Sequence, residues 1–319
     1  MHIASNKGGR PLSIVKPIFI LSLQRSGSTL LQHILAQHPL ISTYTEPWFL
    51  LPFLSAMYQD GIKANYNHTR AAEAIADFIG SLPGGVDQYY EELTHFTSRV
   101  YSAHCMSGTR FFLDKSPGYA FIARELVRCF AEAKFIFLWR NPLSVASSWL
   151  QSFDKGRWRI AFLAEELRVG LPLMVETYQE AKSRVFALRY EDLVTNPEHS
   201  VRAICTYLGV EYHDTMLKDD TTIQVQGIQE HQRKNLRPNV DTSSLNNWHY
   251  SFTNVFRNHW ARRYMEWLGA TRLSTMGYSM DHLLGQLPQQ RFALKGVFSD
   301  MWWLLRDQCE LHFNRHALR

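Results

Sequence analysis

Two continuous apolar runs, each followed by a polar turn and then a helical pattern, dominate the hydrophobic pattern of this chain. The first run covers residues 18–23 and the second 134–139, and helical spacing follows at 28–37 and 143–153. Continuous apolar strands that alternate with helices are typical of a parallel sheet covered on both faces. The pattern therefore predicts an α/β fold.

Two weaker apolar segments, 110–113 and 184–189, are also followed by polar residues. Four predicted strands therefore end in polar turns. In an open parallel sheet, ligands bind beyond the carboxyl ends of the strands, so we expect all four turns at one edge. The predicted architecture is a P-loop-like central parallel sheet flanked by helices.

The region between the first strands, 50–108, is mostly helical in pattern. Apolar residues recur at helical spacing over 71–82 and 86–106, separated by Pro83, Gly84 and Gly85. We interpret 50–108 as a helical insertion over the ligand-binding edge of the sheet.

The last third of the chain contains a polar segment and two helical patterns. Residues 221–247 predict a loop, and the aromatic-rich stretch 252–268 predicts a helix. We assign 1–280 to one domain and 281–319 to a basic, amphipathic helical tail. This tail either docks onto the domain or makes a weak contact with a membrane surface.

Composition narrows the class of protein. The 319 residues carry a formal net charge of +5, and the four cysteines are scattered without C-x-x-C spacing. This usage favours reduced thiols in the cytoplasm over a zinc site. The apolar stretches are too short to cross a bilayer, which leaves membrane-peripheral attachment through the tail as the alternative. The basic residues form no stripe outside the tail, so a nucleic-acid partner is not expected.

The turn after the first apolar run has the composition of an anion site. It holds Arg25, Ser26, Gly27, Ser28 and Thr29 at the start of a predicted helix. Backbone amides at a helix start, together with hydroxyls and a guanidinium, form a cradle for an anion. The turn departs from the nucleotide-binding pattern G-x-x-x-x-G-K-[ST], since Arg25 precedes its only glycine.

We expect a carboxylate, Glu46, to lie near this turn. The helix ends at His38 and Pro39, and an extended segment, 40–45, leads back to Glu46. Glu46 could act as a general base towards an acceptor hydroxyl, or it could be a helix cap or a solvated turn residue.

A second anion contact is indicated after the 134–139 strand. Arg140 ends that strand, and Ser148 lies two turns into the next helix, so both could meet one anion. The alternative is that Arg140 pairs with a neighbouring acid. The strand lacks the terminal carboxylate that holds magnesium in nucleotide hydrolases, which disfavours that class. Two anion sites without such a carboxylate suggest a nucleotide with separate phosphates.

These motifs, in this order, resemble the sulfotransferases that use 3'-phosphoadenosine 5'-phosphosulfate (PAPS), nearest the branch of tyrosylprotein sulfotransferases and their bacterial relatives. The resemblance covers roughly residues 15–280. It is carried by residues 24–30, Glu46, residues 113–117, residues 137–142 with Ser148, and residues 189–193.

The resemblance implies roles for particular residues. Glu46 is the implied base, Lys115 contacts the sulfonate, and Arg25 assists. The implied donor-binding residues are Arg25, Ser26, Gly27, Ser28, Thr29, Leu30, Arg140, Ser148, Tyr190, Arg233 and Lys234. Cytosolic relatives place a catalytic histidine where this chain has Pro117, and this departure favours Glu46 as the base. A glycine-bearing phosphate clamp of the family is not reproduced, and Arg233 and Lys234 lie in a comparable late loop.

The resemblance implies transfer of a sulfuryl group from PAPS to an acceptor hydroxyl, without a metal and with adenosine 3',5'-bisphosphate (PAP) as product. A carbohydrate or glycolipid acceptor is our expectation. Two alternatives remain at this point. One is a P-loop kinase of small molecules, and the other is a nucleotide-binding module that has lost its chemistry. The presence of both Glu46 and Lys115 favours an enzyme over the second alternative.

Overall fold

A computed structural model describes residues 14–59, 67–218, 242, 245, 247–287 and 296–316, with side chains described as far as residue 306. Arg233 and Lys234 lie outside the described residues, as does the predicted 221–247 loop apart from residues 242, 245 and 247.

The centre of the fold is a sheet of five parallel strands in the order β2-β3-β1-β4-β5. The strands are β1 Lys16–Leu21, β2 Ile41–Thr43, β3 Phe111–Asp114, β4 Lys134–Trp139 and β5 Phe186–Arg189. Helices flank this sheet, which confirms the predicted α/β class with a P-loop-like parallel core.

Thirteen α-helices are seen in the described part of the chain. They are α1 Ser28–Ala36, α2 Leu51–Ser55, α3 His68–Gly80, α4 Gly85–His104, α5 Ala123–Cys129, α6 Pro142–Asp154, α7 Leu171–Ala181, α8 Tyr190–Thr195, α9 Pro197–Leu208, α10 Val255–Leu268, α11 Ala270–Thr275, α12 Met280–Gln286 and α13 Val297–His316. Short 3-10 turns and one π turn, Glu166–Gly170, connect some of them. No helix within the described ranges is long and apolar enough to cross a membrane.

The continuous apolar runs arise because both faces of the sheet are buried. Successive residues of a strand point to opposite faces. Phe19 and Phe135 therefore join the core on one face, while Ile18, Ile20 and Ile136 join the core on the other. All five side chains are at most 1% exposed.

The ends of two elements, the first strand and the 252–268 helix, differ from the predicted ones. The first strand ends at Leu21, and the chain then turns towards α1. The predicted 252–268 helix begins at Val255, because the Asn254 side chain accepts a hydrogen bond from the Arg257 amide (2.8 Å) and caps it. The extended segment after α1 contains β2, which pairs with β3.

Helix α13 contacts α10 through a buried ion pair. The Arg257 guanidinium donates to both carboxylate oxygens of Asp300, at 2.7 and 2.8 Å. Asn254 donates to the same carboxylate at 2.7 Å, and Asp300 is only 2% exposed. The described start of the C-terminal segment is therefore joined to the rest of the protein.

His38, at the end of α1, gives the fold a pH-dependent contact. The Leu40 amide donates to its Nδ1 (3.1 Å), so its Nε2 must carry the hydrogen directed at the Glu211 carbonyl (2.9 Å). Burial lowers the pKa of His38; the hydrogen bond to the Glu211 carbonyl opposes that shift, and the nearby His213 adds to it.

Because the pKa of His38 is lower in the folded protein, and protonation of Nδ1 would break its hydrogen bond with the Leu40 amide, acid favours the unfolded chain, where the ring protonates more readily. We expect the thermal unfolding midpoint to fall between pH 7.5 and 5.5, and to fall by a few degrees less in His38→Asn. Calorimetry across this range measures both slopes. Equal slopes for the two proteins would contradict this account.

Candidate active site

Polar residues follow each of the five strands at the carboxyl edge of the sheet. Arg25 comes after β1, Glu46 after β2, Lys115 after β3, Arg140 after β4 and Tyr190 after β5. Parallel strands bring these ends to one side of the molecule. The sequence predicted that the polar turns after four strands lie at one edge, and in the structure the residues after all five strands lie there.

The segment Arg25–Leu30, called here the anion loop, comprises the turn before α1 and the first three residues of that helix, and the backbone of its turn is left-handed at Arg25 and Gly27. Gly27 is the residue before the helix, has φ of 88°, and supplies no side-chain cap. The first amides of a helix have no partner within it, and the helix dipole makes them attractive to an anion. Ser26 and Ser28 are buried in this loop, and Arg25 is exposed.

Two guanidinium groups meet beside the anion loop. Arg140 donates through Nη1 to the Arg25 carbonyl (2.6 Å), and Arg25 Nε lies 3.4 Å from Ser148 Oγ. Loss of surrounding water lowers the pKa of both arginines, although part of the Arg25 side chain stays exposed, and the charge of Arg140 lowers the pKa of Arg25 further. Two adjacent cations repel each other, and an anion bound between them would offset that repulsion.

Arg140 also contacts Tyr190, which in turn constrains the loop. The guanidinium carbon lies 4.3 Å from the centre of the Tyr190 ring, a cation–π contact. Arg140 Nε is buried and has no hydrogen-bond partner among the described residues. A Cβ atom on Gly27 would overlap the same tyrosine ring, so only glycine fits that position.

A buried ion pair connects the loop to the end of β2. Lys115 Nζ lies 2.5 Å from Glu46 Oε1 and 3.4 Å from Thr29 Oγ1, and both charged side chains are less than a tenth exposed. Burial lowers the pKa of Lys115, and Glu46 opposes that shift. The second oxygen of Glu46, Oε2, is buried without a hydrogen-bond partner in the described part of the chain.

Behind this pair lies a buried carboxylate that sequence reasoning did not assign a role. Asp114 accepts hydrogen bonds from Tyr101 and Tyr119 (2.6 Å each) and from Ser116 (3.0 Å). The Ser116 hydroxyl in turn accepts from the Trp48 amide at 3.0 Å. Asp114 is thus engaged with hydroxyls at the end of β3, and it fixes the chain on either side of the ion pair.

Two further carboxylates, Glu166 and Glu191, were also missed by sequence reasoning. Glu166 accepts from Gln24, which is 142 residues away, and Glu191 accepts from Asn141 and Tyr278. No periodicity or motif pairs residues so distant in sequence. Only the position of Glu191, directly after Tyr190, lies within a segment that the sequence singled out.

Most of the sequence-predicted site residues form one connected set. Direct contacts form two groups, which the anion loop joins: the first is Arg25, Gly27, Arg140, Ser148 and Tyr190, and the second is Thr29, Lys115 and Glu46. Ser26, Ser28 and Leu30 belong to the same loop and first helical turn. The contact between Arg25 and Ser148 places the two predicted anion sites side by side.

Comparison with known proteins identifies the family. The sequence profile of the Sulfotransferase family matches residues 17–214, a range that contains β2 to β5, all of β1 except Lys16, and the connected set above. The chain belongs to the sulfotransferase family.

Two relatives of this family member share about a quarter of the aligned residues with it. Nodulation protein NoeE of Sinorhizobium fredii is 28% identical over 229 residues, covering 63% of this chain and 51% of that protein. Protein-tyrosine sulfotransferase 2 of Gallus gallus is 26% identical over 213 residues, covering 65% and 54% respectively. The chain thus spans about half the length of these two relatives. A sulfotransferase domain from the curacin biosynthetic pathway aligns with a TM-score of 0.46 and 24% identity, covering 73% of this chain and 90% of that structure.

The close approach of Gly27 to Tyr190 gives a stability prediction. Gly27→Ala should lower the free energy of unfolding by about 1–2 kcal/mol for the left-handed backbone and by about 1–3 kcal/mol more for the overlap. Gly209→Ala is the matched control, because Gly209 is also left-handed (φ of 68° and ψ of 43°) and an added Cβ there would meet only Arg110 Nη2, at an ordinary 3.9 Å.

Denaturant unfolding measures both losses. In a Tyr190→Ala background the extra loss at Gly27 should disappear, leaving a cost similar to that of the control. A persistent difference between the two glycine variants in that background would mean that the overlap is not the cause.

Proposed function

We propose that this protein is a PAPS-dependent sulfotransferase that transfers a sulfuryl group to an acceptor hydroxyl. The observation that carries the proposal is the line of contacts from the anion loop through Thr29 and Lys115 to Glu46. It joins an anion-binding turn to a cation and then to a carboxylate. Those are the groups needed to hold a sulfonate and to remove a proton beside it.

The second anion contact supports a donor with two separate phosphates. The anion loop and Lys115 would face the 5' end, where the phosphosulfate of PAPS lies. Arg140 and Ser148 would hold the 3'-phosphate, and Tyr190 would lie on the adenine side. Arg140 Nε, buried and without a described partner, fits a role in binding an anion. ATP lacks a 3'-phosphate, so the Arg140 contact would select against it.

Glu46 is positioned as the general base. Its Oε1 is paired with Lys115, and its Oε2 is free of described partners and able to accept a proton. The transfer breaks the sulfur–oxygen bond to the 5'-phosphate, forms a sulfur–oxygen bond to the acceptor, and delivers the hydroxyl proton to Glu46. Lys115 and Arg25 supply positive charge for the oxygens of the sulfuryl group and the leaving phosphate.

The geometry around Asp114 weighs against the kinase alternative. Asp114 ends β3 beside β1, which is a position from which a carboxylate could hold magnesium in a P-loop enzyme. Its two oxygens instead accept three hydroxyl hydrogen bonds in a fully buried setting. The carboxylate is therefore committed to holding the site together.

For the acceptor we propose a carbohydrate or glycolipid hydroxyl. Trp48 lies two residues after Glu46, is 49% exposed, and offers a flat apolar surface beside the proposed base. The relative from Gallus gallus is named for protein tyrosine, so the screen must include tyrosine peptides. Radiolabelled PAPS, incubated with the protein and a panel of oligosaccharides, glycolipids and tyrosine peptides, tests the activity and the acceptor class together.

Glu46→Gln should lower turnover by about 10²–10⁴-fold, because the amide cannot accept the hydroxyl proton. PAP affinity should stay close to that of the unaltered protein, since Glu46 faces the acceptor. Rates come from the labelled-sulfate assay and affinities from calorimetric titration. Glu132→Gln, at a largely exposed surface ion pair, is the matched control and should change neither. Full turnover in Glu46→Gln would remove Glu46 from the role of base.

Arg140→Ala should weaken PAP binding by about 10–100-fold, the range expected for losing charged hydrogen bonds. Binding of 5'-AMP, which has no 3'-phosphate, should change far less. The unaltered protein should bind PAP more tightly than ATP with magnesium. Equal losses for PAP and 5'-AMP would contradict the assignment of Arg140, and a preference for ATP would favour the kinase alternative.

A further inference from the structure

Two carboxylates lie against the anion-binding edge, where negative charge opposes the binding of an anion. Each of them accepts a hydrogen bond from the backbone of a turn that carries a guanidinium. Glu166 Oε2 accepts from the Gln24 amide (3.0 Å), directly before Arg25. Glu191 Oε1 accepts from the Asn141 amide (3.1 Å), directly after Arg140.

The contact of Glu166 with Gln24 is bidentate. The Gln24 side chain donates through Nε2 to Glu166 Oε1 at 2.5 Å, so both carboxylate oxygens hold one residue. Glu166 is buried and begins the π turn Glu166–Gly170, a local structure that is frequent at functional sites. Burial raises the pKa of Glu166, and the hydrogen bonds from Gln24 oppose that shift.

The residue after this contact is conformationally strained. Arg25 has φ of 63°, in the left-handed region that non-glycine residues avoid. Such a conformation persists only where surrounding contacts hold it. Glu166 fixes the residue on one side of Arg25, and the Arg140 contact to the Arg25 carbonyl fixes it from the other.

Glu191 holds the second turn in a similar way. Its other oxygen, Oε2, accepts from the buried Tyr278 hydroxyl at 2.6 Å. The Asn141 side chain, at the same turn, caps α6 by accepting from the Leu143 amide (3.0 Å). The backbone beside Arg140 is therefore held between α6 and Glu191.

We propose that Glu166 and Glu191 are positioning residues for the two ends of the donor. Glu166 sets the anion loop that faces the 5' end, and Glu191 sets Arg140 at the 3'-phosphate. This proposal rests on the proposed function, since it assumes a donor with phosphates at both positions.

The sign of the effect separates positioning from simple electrostatics. Replacing either carboxylate by an amide removes a negative charge beside the anion site, and by electrostatics alone this would tighten nucleotide binding. A glutamine side chain also has an NH2 group in place of one of the two carboxylate oxygens. That group cannot accept the hydrogen bond that the oxygen accepted, so the turn must move. Weaker binding in the Glu→Gln variants therefore identifies a positional role.

The test compares three nucleotides by titration calorimetry. Glu166→Gln should weaken PAP and 5'-AMP by about tenfold while leaving 3'-AMP within about twofold. Glu191→Gln should weaken PAP and 3'-AMP by about tenfold while leaving 5'-AMP within about twofold. Glu180→Gln is the control, because Glu180 makes a bidentate contact to Arg124 on the surface and should change none of the three affinities.

Milder variants keep the test valid if a Glu→Gln variant fails to fold. Gln24→Met removes only the side-chain hydrogen bond to Glu166, and Tyr278→Phe removes only one hydrogen bond to Glu191. Each should show the same nucleotide selectivity with a smaller loss.

Tighter binding, or equal losses for all three nucleotides, would overturn the positioning roles. If the unaltered protein does not prefer PAP to ATP, the proposed function itself fails. If that preference holds but the variants show no selectivity between the two phosphates, only the positioning proposal fails.

Discussion

Parallel pairing of β1 with β3 on one side and β4 on the other is the constraint on which the site depends. In this register Phe19 lies opposite Asp114, and Leu21 lies opposite Phe137. A slip of one residue would shift a strand by about 3.3 Å and turn its side chains to the opposite face. Contacts such as the 3.4 Å approach of Lys115 to Thr29 would not survive it. Both faces of the sheet are packed, so the core determines the register of the strands. The register in turn determines the distances between the site residues.

The positive charges at this edge are available to an anion because the nearby carboxylates mostly make hydrogen bonds within the protein. Positive charge or partial charge comes to this edge of the sheet from Arg25, Lys115, Arg140 and the start of α1. Among the described carboxylates beside them, Asp114, Glu166 and Glu191 accept hydrogen bonds from hydroxyls and amides of the protein itself. The acids therefore shape the turns, while the cations and helix amides are left to meet an anion. Glu46 differs, because one of its oxygens is buried without a described partner.

The sequence predicted much of the fold and of the site because both are encoded in short segments. Each strand, turn and helix start is local, and the rule that parallel strands end at one edge brings Glu46 near Lys115 although 69 residues separate them. The contacts of Glu166 with Gln24 and of Glu191 with Tyr278 carry no such local signal. They depend on how the π turn and the segment after α11 approach the sheet edge, which side-chain packing decides. The positions of Arg233 and Lys234 stay predictions.

Backbone strain in the described chain is concentrated where the two proposed reactants would meet. Four non-glycine residues have positive φ, namely Arg25 (63°), Glu46 (45°), Trp48 (56°) and Lys155 (52°). Lys155 ends α6, where a left-handed residue is ordinary. Of the other three, Glu46 belongs to the ion pair with Lys115, and Trp48, two residues on, donates its amide to Ser116. Arg25 lies in the anion loop, directly after the residue that Glu166 holds. The strained backbone conformation is already present in the folded protein. Binding of a ligand therefore does not have to supply the free energy to create it. Transfer of a sulfuryl group from a phosphosulfate to a hydroxyl depends on such placement, since catalysis of this kind of reaction comes mainly from positioning and electrostatics.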